Sequence, residues 1–404
     1  MQPTDNKRNI TILFFTMIVV MLGFGMIIPI LPFYIEQFGA SGKGLGALMA
    51  TFSIMQFIFS PIWGALSDRY GRKPILMIGV LGNVLAQVLM GLSTQLWMLF
   101  VARALAGILS SATLPTAMAY ISDSTSHDQR SGGMGIIGAA QGIGMVLGPG
   151  IGGWLAAQSL QLPFFVAAGF SALILVFIAA FFPESLPRSA RRHGQKVQGV
   201  NVGELWQGLL GPIGILLFLA FLLNFALANF EGIFGLYAQQ RFNYGPREVG
   251  LVLMAIGIVS AIVQGALTGP FTQRWGDVRI LKAALIASAV GFVIMLEAAD
   301  MATLLLTVMF FVTSNAMLRP GVSSLISKRT PGGQGSAMGL NNAFMSLGRI
   351  VGPLWAGFAF DINLSFPYLT GGLIMLVGFI ASIFWLRETH HVAPDAPLPA
   401  PSSK

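Results

Sequence analysis

An apolar segment rich in glycine and proline, Gly135–Gly153, constrains the fold more than any other stretch of the chain. A helix of this composition frays in water, because an interior glycine costs about 1 kcal/mol and a proline about 3 kcal/mol relative to alanine. In a lipid bilayer the backbone amides have no water to bond to, so the helix must hold. Glycines at helical spacing then let a neighbouring helix pack against the backbone, and the proline kinks the helix beside them. The residues concerned are Gly135, Gly144, Gly148, Pro149, Gly152 and Gly153.

The same pattern returns 204 residues later, which is close to half the length of the 404-residue chain. Two similar halves in the same orientation indicate a transporter built from parallel repeats. We therefore predict that both glycine sets lie at the interface of two bundles that rock against each other. The second set is Gly339, Gly348, Gly352, Pro353 and Gly357, with Ala356 at the position of Gly152.

The composition is that of a polytopic membrane protein. Hydrophobic residues make up 55% of the chain and charged residues only 9%, against about 25% charged residues in soluble domains. Cysteine is absent, and the four histidines all fall in hydrophilic stretches. The sequence therefore excludes disulfides, thiolate metal sites and a histidine-built metal site within the membrane.

Twelve apolar runs of about 20 residues or more are each long enough to cross about 30 Å of hydrocarbon. They predict an all-α membrane protein with twelve transmembrane helices, six on each side of a polar break. The runs cover residues 10–35, 45–66, 74–92, 96–121, 132–157, 163–182, 212–240, 247–269, 280–298, 302–327, 336–360 and 366–386. The predicted organisation is a six-helix bundle over 1–182, a cytoplasmic linker over 183–211, a second six-helix bundle over 212–386 and a disordered cytoplasmic tail over 387–404.

The distribution of lysine and arginine predicts the orientation. With both termini on one side, seventeen of the 23 Lys and Arg residues fall on that side and three on the other, while Arg103, Arg319 and Arg349 lie within spans. The positive-inside rule then places both termini in the cytoplasm of a multi-pass cell-membrane protein. The formal charge of +8 thus faces anionic headgroups, so we expect membrane lipids rather than nucleic acid as partners.

A short polar loop between the second and third runs places one acid among three bases, in the sequence GALSDRYGRK of Gly64–Lys73. Asp68 can accept a hydrogen bond from an arginine or a facing helix N-terminus, which suits a conformational latch. For the bases, simple anchoring at the headgroups is an equal alternative. A degraded copy, Gly269–Asp277, has Gln273 in place of the acid, so any latch is stronger in the first half. The latch candidates are Gly64, Asp68, Arg69, Gly71, Arg72 and Lys73.

These motifs resemble those of the major facilitator superfamily. Gly64–Lys73 is similar to its loop signature G-x-L-x-D-R-x-G-R-K, Gly135–Gly153 fits its antiporter pattern G-x8-G-x3-G-P-x2-G-G, and Leu99–Gly107 is similar to its fourth-span arginine motif. Asp123 and Arg130 are similar to the acid and base that flank the next cytoplasmic loop, and they join the latch candidates. The resemblance covers essentially the whole chain and is greatest to twelve-span drug:proton antiporters. It implies two bundles related by a pseudo-twofold axis, and proton-coupled export.

Glu231 lies well inside a predicted span, whereas the other Asp and Glu residues of the 15 fall in loops or near span ends. A carboxylate in hydrocarbon costs several kcal/mol, so it is paired, hydrated or neutral, and functional by default. We interpret Glu231 as the proton-coupling group. The alternative is a structural carboxyl satisfied by Asn224, Asn229 or the backbone. The resemblance supports the first interpretation, because such exporters use a span-seven glutamate at this position.

Three arginines lie within predicted spans and need partners. The resemblance implies that Arg103 takes part in proton coupling, with packing against backbone carbonyls as an equal alternative. Arg319 precedes Pro320 and can bond to carbonyls freed by the kink. Arg349 departs from the family pattern, in which a neutral residue is expected, and Ala316 replaces an acid. Three internal bases against one acid leave the charge preference for the substrate open.

A substrate cavity between the halves is expected to use polar and aromatic residues of the first, fourth, seventh and tenth spans. As a cluster near Glu231, aromatic residues bind flat amphiphiles without fixed hydrogen bonds, although packing explains each ring taken alone. The candidate substrate-binding residues are Phe24, Tyr34, Asn224, Asn229, Phe230, Phe234, Tyr237, Asn315 and Arg319.

The sequence thus predicts a proton-coupled secondary exporter of lipophilic small molecules that works as a monomer by alternating access. Protons are the coupling ion, and no other cofactor or metal is expected. One alternative is an exporter of an anionic metabolite or lipid-like amphiphile, suggested by the internal arginines. Another, of a different class, is a non-transporting sensor or scaffold. An enzyme is not expected, because no nucleophile–base pair or metal cluster occurs within the spans.

Overall fold

The computed structural model describes residues 3–126, 129–191, 201–330 and 333–386. Within these ranges, twelve helices are long and apolar enough to cross a membrane, as predicted. The predicted tail 387–404, residues 192–200 of the linker and all four histidines lie outside the described residues. Spans 1 to 12 are Arg8–Glu36, Gly42–Tyr70, Arg72–Gly91, Leu96–Ser124, Gly132–Ala156, Leu162–Phe181, Gly214–Phe242, Pro246–Trp275, Asp277–Glu297, Met301–Arg329, Gln334–Ile362 and Phe366–Trp385.

The first six and the last six spans pack in the same pattern. Span 1 packs on span 5 and span 3 on span 6, just as span 7 packs on span 11 and span 9 on span 12. Span 2 likewise contacts span 4, and span 8 contacts span 10. The spans therefore form a first and a second bundle that repeat one another. The bundles meet mainly through spans 2 and 11 and through spans 5 and 8.

Both bundles contain a broken helix at corresponding positions. Span 4 has a short 3-10 turn, Ser110–Ala112, just before Pro115, and span 10 breaks at Met317 just before Pro320. Proline lacks an amide hydrogen and its ring clashes with the preceding turn, so it is tolerated best in the first turn of a helix. The break in span 10 places Arg319 in the first turn of its second segment.

Most of the repeated glycines lie inside a bundle rather than between the bundles, which corrects the sequence prediction. A Cβ atom at Gly144, Gly148 or Gly152 would lie 2.6–2.8 Å from atoms of span 1. At Gly348 or Gly352 it would lie 2.5–2.6 Å from carbonyl oxygens of span 7. These glycines are needed because they bring spans 1 and 5, and spans 7 and 11, to backbone contact.

The last glycine of each set does reach the other bundle. Gly153 lies against the Pro246 carbonyl of span 8, and Gly357 lies against the Gly42 carbonyl of span 2. A Cβ atom at either glycine would overlap with its partner, so only glycine permits these approaches. Gly135, at the other end of its segment, has no neighbour within 4 Å of such a Cβ. The bundles therefore touch at one end of spans 5 and 11.

The linker contains a helix that the sequence analysis missed. This linker helix, Val202–Leu210, follows Asn201, whose side-chain oxygen accepts a hydrogen bond from a backbone amide of the first turn. Val202, Trp206 and Leu210 recur every four residues and are 63–74% exposed. An exposed apolar stripe on a short amphipathic helix is typical of a helix that lies in a membrane interface. The four-residue spacing of these apolar residues indicates a helix. It was overlooked because the segment around it is polar.

Candidate functional site

A cavity of about 1840 Å³ lies between the two bundles. Spans of both bundles build its wall, which extends from Phe24 and Glu231 to Met134 and Ser336 at the ends of spans 5 and 11. Glu204 of the linker helix lines the cavity at the same end. The cavity is therefore open toward the linker helix. We term this end of the spans the linker side and the opposite end the far side.

Polar contacts between the bundles close the far side. The Asp361 carboxylate at the end of span 11 accepts hydrogen bonds from the Gly42 and Lys43 amides, at 2.8 and 3.1 Å. These amides are the first two of span 2, and amides at that position have no partner within the helix. Gln239 of span 7 donates to Glu36 of span 1 at 2.6 Å. The structure is thus closed on the far side and open on the linker side.

Backbone contacts complete this closure. The Pro149 carbonyl of span 5 lies against Gly250 of span 8, where a Cβ atom would be 2.5 Å away. The Pro353 carbonyl of span 11 makes the equivalent approach to Gly46 of span 2. The glycine–proline motif therefore joins the bundles through its proline carbonyls and its last glycine, and the earlier glycines serve packing within each bundle.

Glu231 lines the cavity from span 7. Within the described part of the chain, no hydrogen bond or ion pair holds its carboxylate. The two amides considered as its structural partners are engaged elsewhere, since Asn224 donates to the Ala220 carbonyl at 2.9 Å and Asn229 to the Pro367 carbonyl at 2.6 Å. A carboxylate that faces a cavity and has no fixed partner is available to a proton or to a ligand.

Arg319 and Arg349 line the same region of the cavity, on spans 10 and 11. Both act electrostatically on the Glu231 carboxylate, although neither comes within ion-pair distance of an acid in the residues described. Arg349 donates to the Ser346 hydroxyl at 3.0 Å. For Arg319 the described residues provide no hydrogen bond, so the expected bonds to freed carbonyls are not formed.

Arg103 lies on the opposite wall, in span 4. It is only 4% exposed, and its Nε has no hydrogen-bond partner among the described atoms. Its guanidinium group lies over the Phe52 ring, 5.1 Å from the centroid, and Phe52 packs on Phe24 with the ring centroids 5.3 Å apart. Such a cation–π contact contributes about 0.5–2 kcal/mol. An aromatic pair rather than backbone carbonyls therefore holds Arg103.

Three of the nine candidate substrate residues line the cavity, namely Phe24, Asn315 and Arg319. The structure places the other six in packed protein, which corrects the prediction for this state. Tyr34 donates to the Met90 carbonyl at 2.8 Å. The side-chain NH2 groups of Asn224 and Asn229 donate to backbone carbonyls, although the buried side-chain oxygen of Asn229 has no partner among the described atoms.

Helical periodicity explains why the aromatic residues of span 7 miss the cavity. Phe230, Phe234 and Tyr237 share one helix face through spacings of four and three residues. They are at most 1% exposed. Phe230 packs on a ring of span 10 and Tyr237 on a ring of span 12, while Phe234 packs on Phe230. Leu227 and Glu231 lie four residues apart on another face, which lines the cavity. Adjacent residues of a helix point about 100° apart, which is how Phe230 lies in the core of the second bundle while Glu231 lines the cavity.

Uncharged amide side chains that the sequence analysis did not select also line the cavity. Within the spans they are Gln56, Asn83, Gln87, Gln141, Gln264 and Asn342, and Asn201 lines the cavity from the start of the linker helix. Asn83 donates to the Ser171 hydroxyl at 2.9 Å. Gln87 donates to the Gly23 carbonyl at 3.3 Å, and its side-chain oxygen has no partner among the described residues. The signal was a polar residue inside an apolar run, where burial without a partner is costly.

Arg72 organises the polar loop between spans 2 and 3. Its guanidinium group pairs with Asp68 at 2.6 Å and with Asp123 at 2.8 Å, and its amide donates to Glu184 at 2.8 Å. Gly71 before it has a φ of 109°, a backbone conformation that glycine adopts readily and other residues rarely do. All these residues belong to the first bundle or to the chain just after it. In this state the predicted latch therefore ties one bundle together and does not reach the other.

The remaining latch candidates also make contacts within the first bundle. Lys73 and Arg130 donate to backbone carbonyls of spans 6 and 4, at 2.8 and 3.1 Å. Arg69 lies over the neighbouring Tyr70 ring, 5.4 Å from its centroid. The Gly64 carbonyl accepts a hydrogen bond from a serine of the same turn.

The second bundle carries the same bridge with the charges reversed. Asp277 at the start of span 9 pairs with Lys328 near the end of span 10, where the first bundle has Arg72 and Asp123. Gly276 precedes Asp277 with a φ of 85°, as a glycine with positive φ precedes Arg72. In each bundle, an ion pair therefore joins the start of the third span to the end of the fourth, whichever of the two carries the positive charge.

Replacing Arg72 with alanine should destabilise the protein more than replacing Lys328 with alanine. The Arg72 side chain is 7% exposed and bridges two carboxylates, whereas the Lys328 side chain is 52% exposed. Breaking a buried pair costs about 3–5 kcal/mol and breaking an exposed one about 0–1 kcal/mol. Because Asp68 and Asp123 keep some access to water, we expect a loss of about 2 kcal/mol for Arg72. Thermal unfolding of the purified variants in detergent measures the difference, and equal unfolding temperatures would contradict it.

With the fold and the cavity established, comparisons with known proteins identify the family. The model of the Major Facilitator Superfamily matches residues 13–269 and 216–402. The chain belongs to the Major Facilitator Superfamily. The two repeated bundles and, in the described ranges, twelve helices long and apolar enough to span a membrane agree with this assignment, and the chain is therefore a multi-pass membrane protein.

Two relatives within the Major Facilitator Superfamily have names that refer to drug resistance. Multidrug resistance protein 1 of Bacillus subtilis (strain 168) is 34% identical over 390 residues, which cover 95% of this chain and 98% of that protein. Quinolone resistance protein NorA of Staphylococcus aureus (strain COL) is 28% identical over 376 residues, or 93% and 95% of the two chains. The crystal structure of the nucleoside transporter NupG has a TM-score of 0.75 at 16% identity, over 94% of this chain and 99% of that one, which supports the fold alone.

Proposed function

We propose that this Major Facilitator Superfamily protein is a drug:proton antiporter that exports lipophilic small molecules by alternating access. The observation that carries the proposal is Glu231, a carboxylate without a described partner that faces a cavity between the bundles. The relatives named for multidrug and quinolone resistance support drug export. We propose protons as the coupling ion, no further cofactor, membrane lipids as the surroundings and a monomer as the functional unit.

The structure corresponds to the loading state of such an exporter. The positive-inside rule favours the linker side as the cytoplasmic side, with both termini there. Cargo enters the open cavity from the cytoplasm or the inner leaflet, while the far-side contacts block its exit. Breaking those contacts and closing the linker side gives the releasing state. The exposed basic residues of the loops hold the ends of the spans at the headgroups.

Coupling follows from competition between cargo and proton at Glu231. The ionised carboxylate binds the cationic or hydrogen-bonding part of the cargo on the linker side, and a proton from the far side replaces it. The difference in affinity between the two states couples cargo to proton, and no covalent chemistry is needed. The proton gradient supplies the free energy. One pH unit corresponds to about 1.4 kcal/mol, so one proton per cargo sustains about a tenfold concentration ratio.

Inverted membrane vesicles, in which the linker side faces the medium, test the proposal. An acidic lumen should drive the accumulation of a lipophilic rhodamine dye by about tenfold per pH unit, and a protonophore should abolish it. Vesicles without the protein give the background of passive partitioning. Accumulation that a protonophore leaves unchanged would contradict proton coupling. Vesicles that match the background would favour a non-transporting sensor or scaffold.

A further inference from the structure

The cavity interior carries more positive than negative charge. Three guanidinium groups, those of Arg103, Arg319 and Arg349, line it together with one interior carboxylate, that of Glu231. Glu204 also lines the cavity, but at the linker-side mouth, where its carboxylate bonds to the N-cap residue of the linker helix. The described residues hold no ion pair for any of the three arginines. With Glu231 ionised, the interior has a formal excess of two positive charges.

Arg349 lies where the fold requires no charge. Its counterpart in the repeat is Met145, since Arg349 follows Gly348 as Met145 follows Gly144. Both side chains line the cavity, so span 5 builds the same part of the wall with a neutral residue. Ser346 accepts one hydrogen bond from the Arg349 guanidinium group at 3.0 Å. The residue is otherwise exposed within the cavity.

Arg319 and Arg349 act on one region of the wall. They lie on spans 10 and 11, each is exposed to the cavity, and each acts electrostatically on the other and on Glu231. A guanidinium group presents its N–H donors in a planar fork that matches a carboxylate or a sulfonate. Among the described residues, no acid lies in ion-pair contact with either arginine. Both guanidinium groups are therefore available to an anionic group of a ligand.

We propose that Arg319 and Arg349 form an anion-recognising subsite beside Glu231, and that Arg349 makes this exporter select zwitterionic amphiphiles over permanently cationic ones. The carboxylate of the cargo binds the two arginines, and its cationic group binds Glu231. Its flat apolar body lies against Phe24 and Phe52, which form an aromatic surface on the opposite wall.

This inference rests on the proposed proton antiport, which argues against a purely anionic cargo. Protonation of Glu231 removes the interior negative charge and so tightens the binding of an anion. Proton and anion then bind together instead of competing, and exchange of one for the other fails. A zwitterion avoids this problem, because its cationic group competes with the proton while its anionic group stays on the arginines.

A matched pair of dyes tests the subsite by binding to the purified protein. Rhodamine B carries a free carboxylate and is a zwitterion, whereas its ethyl ester is a cation with the same ring system. The dissociation constant of each dye is measured by fluorescence anisotropy for wild type and for Arg349→Met, which installs the residue of the other repeat. Loss of a charge-assisted bond should weaken binding of the acid by about 10- to 100-fold. Binding of the ester should stay unchanged or tighten.

The ratio of variant to wild type for each dye cancels partitioning into detergent. Arg349→Lys keeps the charge without the fork, so its loss of acid binding should be intermediate, and it keeps the test decisive if Arg349→Met does not fold. Arg247→Met removes the same charge from an exposed position at the far-side start of span 8 and should change neither constant. If Arg349→Met affects acid and ester alike, the inference is wrong. Binding needs no pH gradient, so failure of this test and failure of proton antiport are separate results.

Discussion

Replacing Glu231 with glutamine abolishes accumulation driven by a pH gradient. Glutamine has nearly the size and polarity of a protonated glutamic acid, but it neither binds nor releases a proton at this pH. The cavity then keeps one charge state on both sides of the membrane. Cargo and proton no longer compete, so the gradient does no work on the cargo. In inverted vesicles we expect the ratio of about tenfold per pH unit to fall to the background of protein-free vesicles.

The same variant should still move cargo down its own gradient. Glu231 belongs to none of the far-side contacts described above, so its replacement leaves the two states of the bundles accessible. At saturating cargo, exchange of labelled for unlabelled dye should therefore persist without a pH gradient. Glu297→Gln removes an equal charge from the exposed far-side end of span 9 and should accumulate dye like wild type. Gradient-driven accumulation by Glu231→Gln at the wild-type level would contradict the assignment of the coupling group.

The twelve spans could be predicted from the sequence because the bilayer leaves an apolar chain few alternatives to a helix. The predicted run 366–386, for example, corresponds to the observed span Phe366–Trp385. Glu231 was recognisable for a related reason, since a single acid within an apolar run is too costly to be incidental. Both inferences depend on the lipid bilayer as the surroundings of the helix, and neither depends on which residues pack against each other.

The lining of the cavity could not be predicted in the same way, because it depends on which face of each helix meets which neighbour. Phe230 and Glu231 are adjacent in sequence, yet one lies in the core of the second bundle and the other in the cavity wall. Periodicity alone separates the two faces but does not say which of them is buried. The same limit explains why Gly148 was assigned to the bundle interface, whereas it packs on span 1.

Contacts between distant parts of the chain were also beyond sequence reasoning. In the sequence, Asp361 is an ordinary acid at the end of a span. Its role is visible only in the structure, where Gly42, 319 residues away, lies beside it. Its carboxylate meets the N-terminus of a helix, where unpaired amides and the helix dipole attract an anion. This contact joins the bundles, so it must break each time the far side opens.

Replacing Asp361 with alanine should therefore shift the protein toward the state that is open on the far side. The variant loses both hydrogen bonds to the Gly42 and Lys43 amides, at 2.8 and 3.1 Å. Bonds to a charged group contribute about 1.5–3 kcal/mol when buried, and the one to Lys43 is exposed. We expect a loss of about 1–2 kcal/mol, which corresponds to a shift of about 5- to 30-fold in the equilibrium.

Distances between spin labels measure this shift directly, and the absence of cysteine from the chain leaves their placement free. Gln37→Cys with Gln240→Cys spans the two bundles on the far side, and Gly132→Cys with Gln273→Cys spans them on the linker side. All four positions are exposed. In the Asp361→Ala background, the far-side distribution should gain a longer component and the linker-side distribution a shorter one.

Asp300→Ala is the matched control for Asp361→Ala. Asp300 also lies on the far side and also accepts a hydrogen bond from an amide at a helix start, that of Thr303 at 2.8 Å, but within one bundle. Its replacement should leave both distance distributions unchanged. If Asp361→Ala also leaves them unchanged, the backbone contacts of the glycine–proline motif alone hold the far side closed. The equilibrium between the two states would then be set by the fit of spans 5 and 11 against spans 8 and 2 rather than by a polar contact.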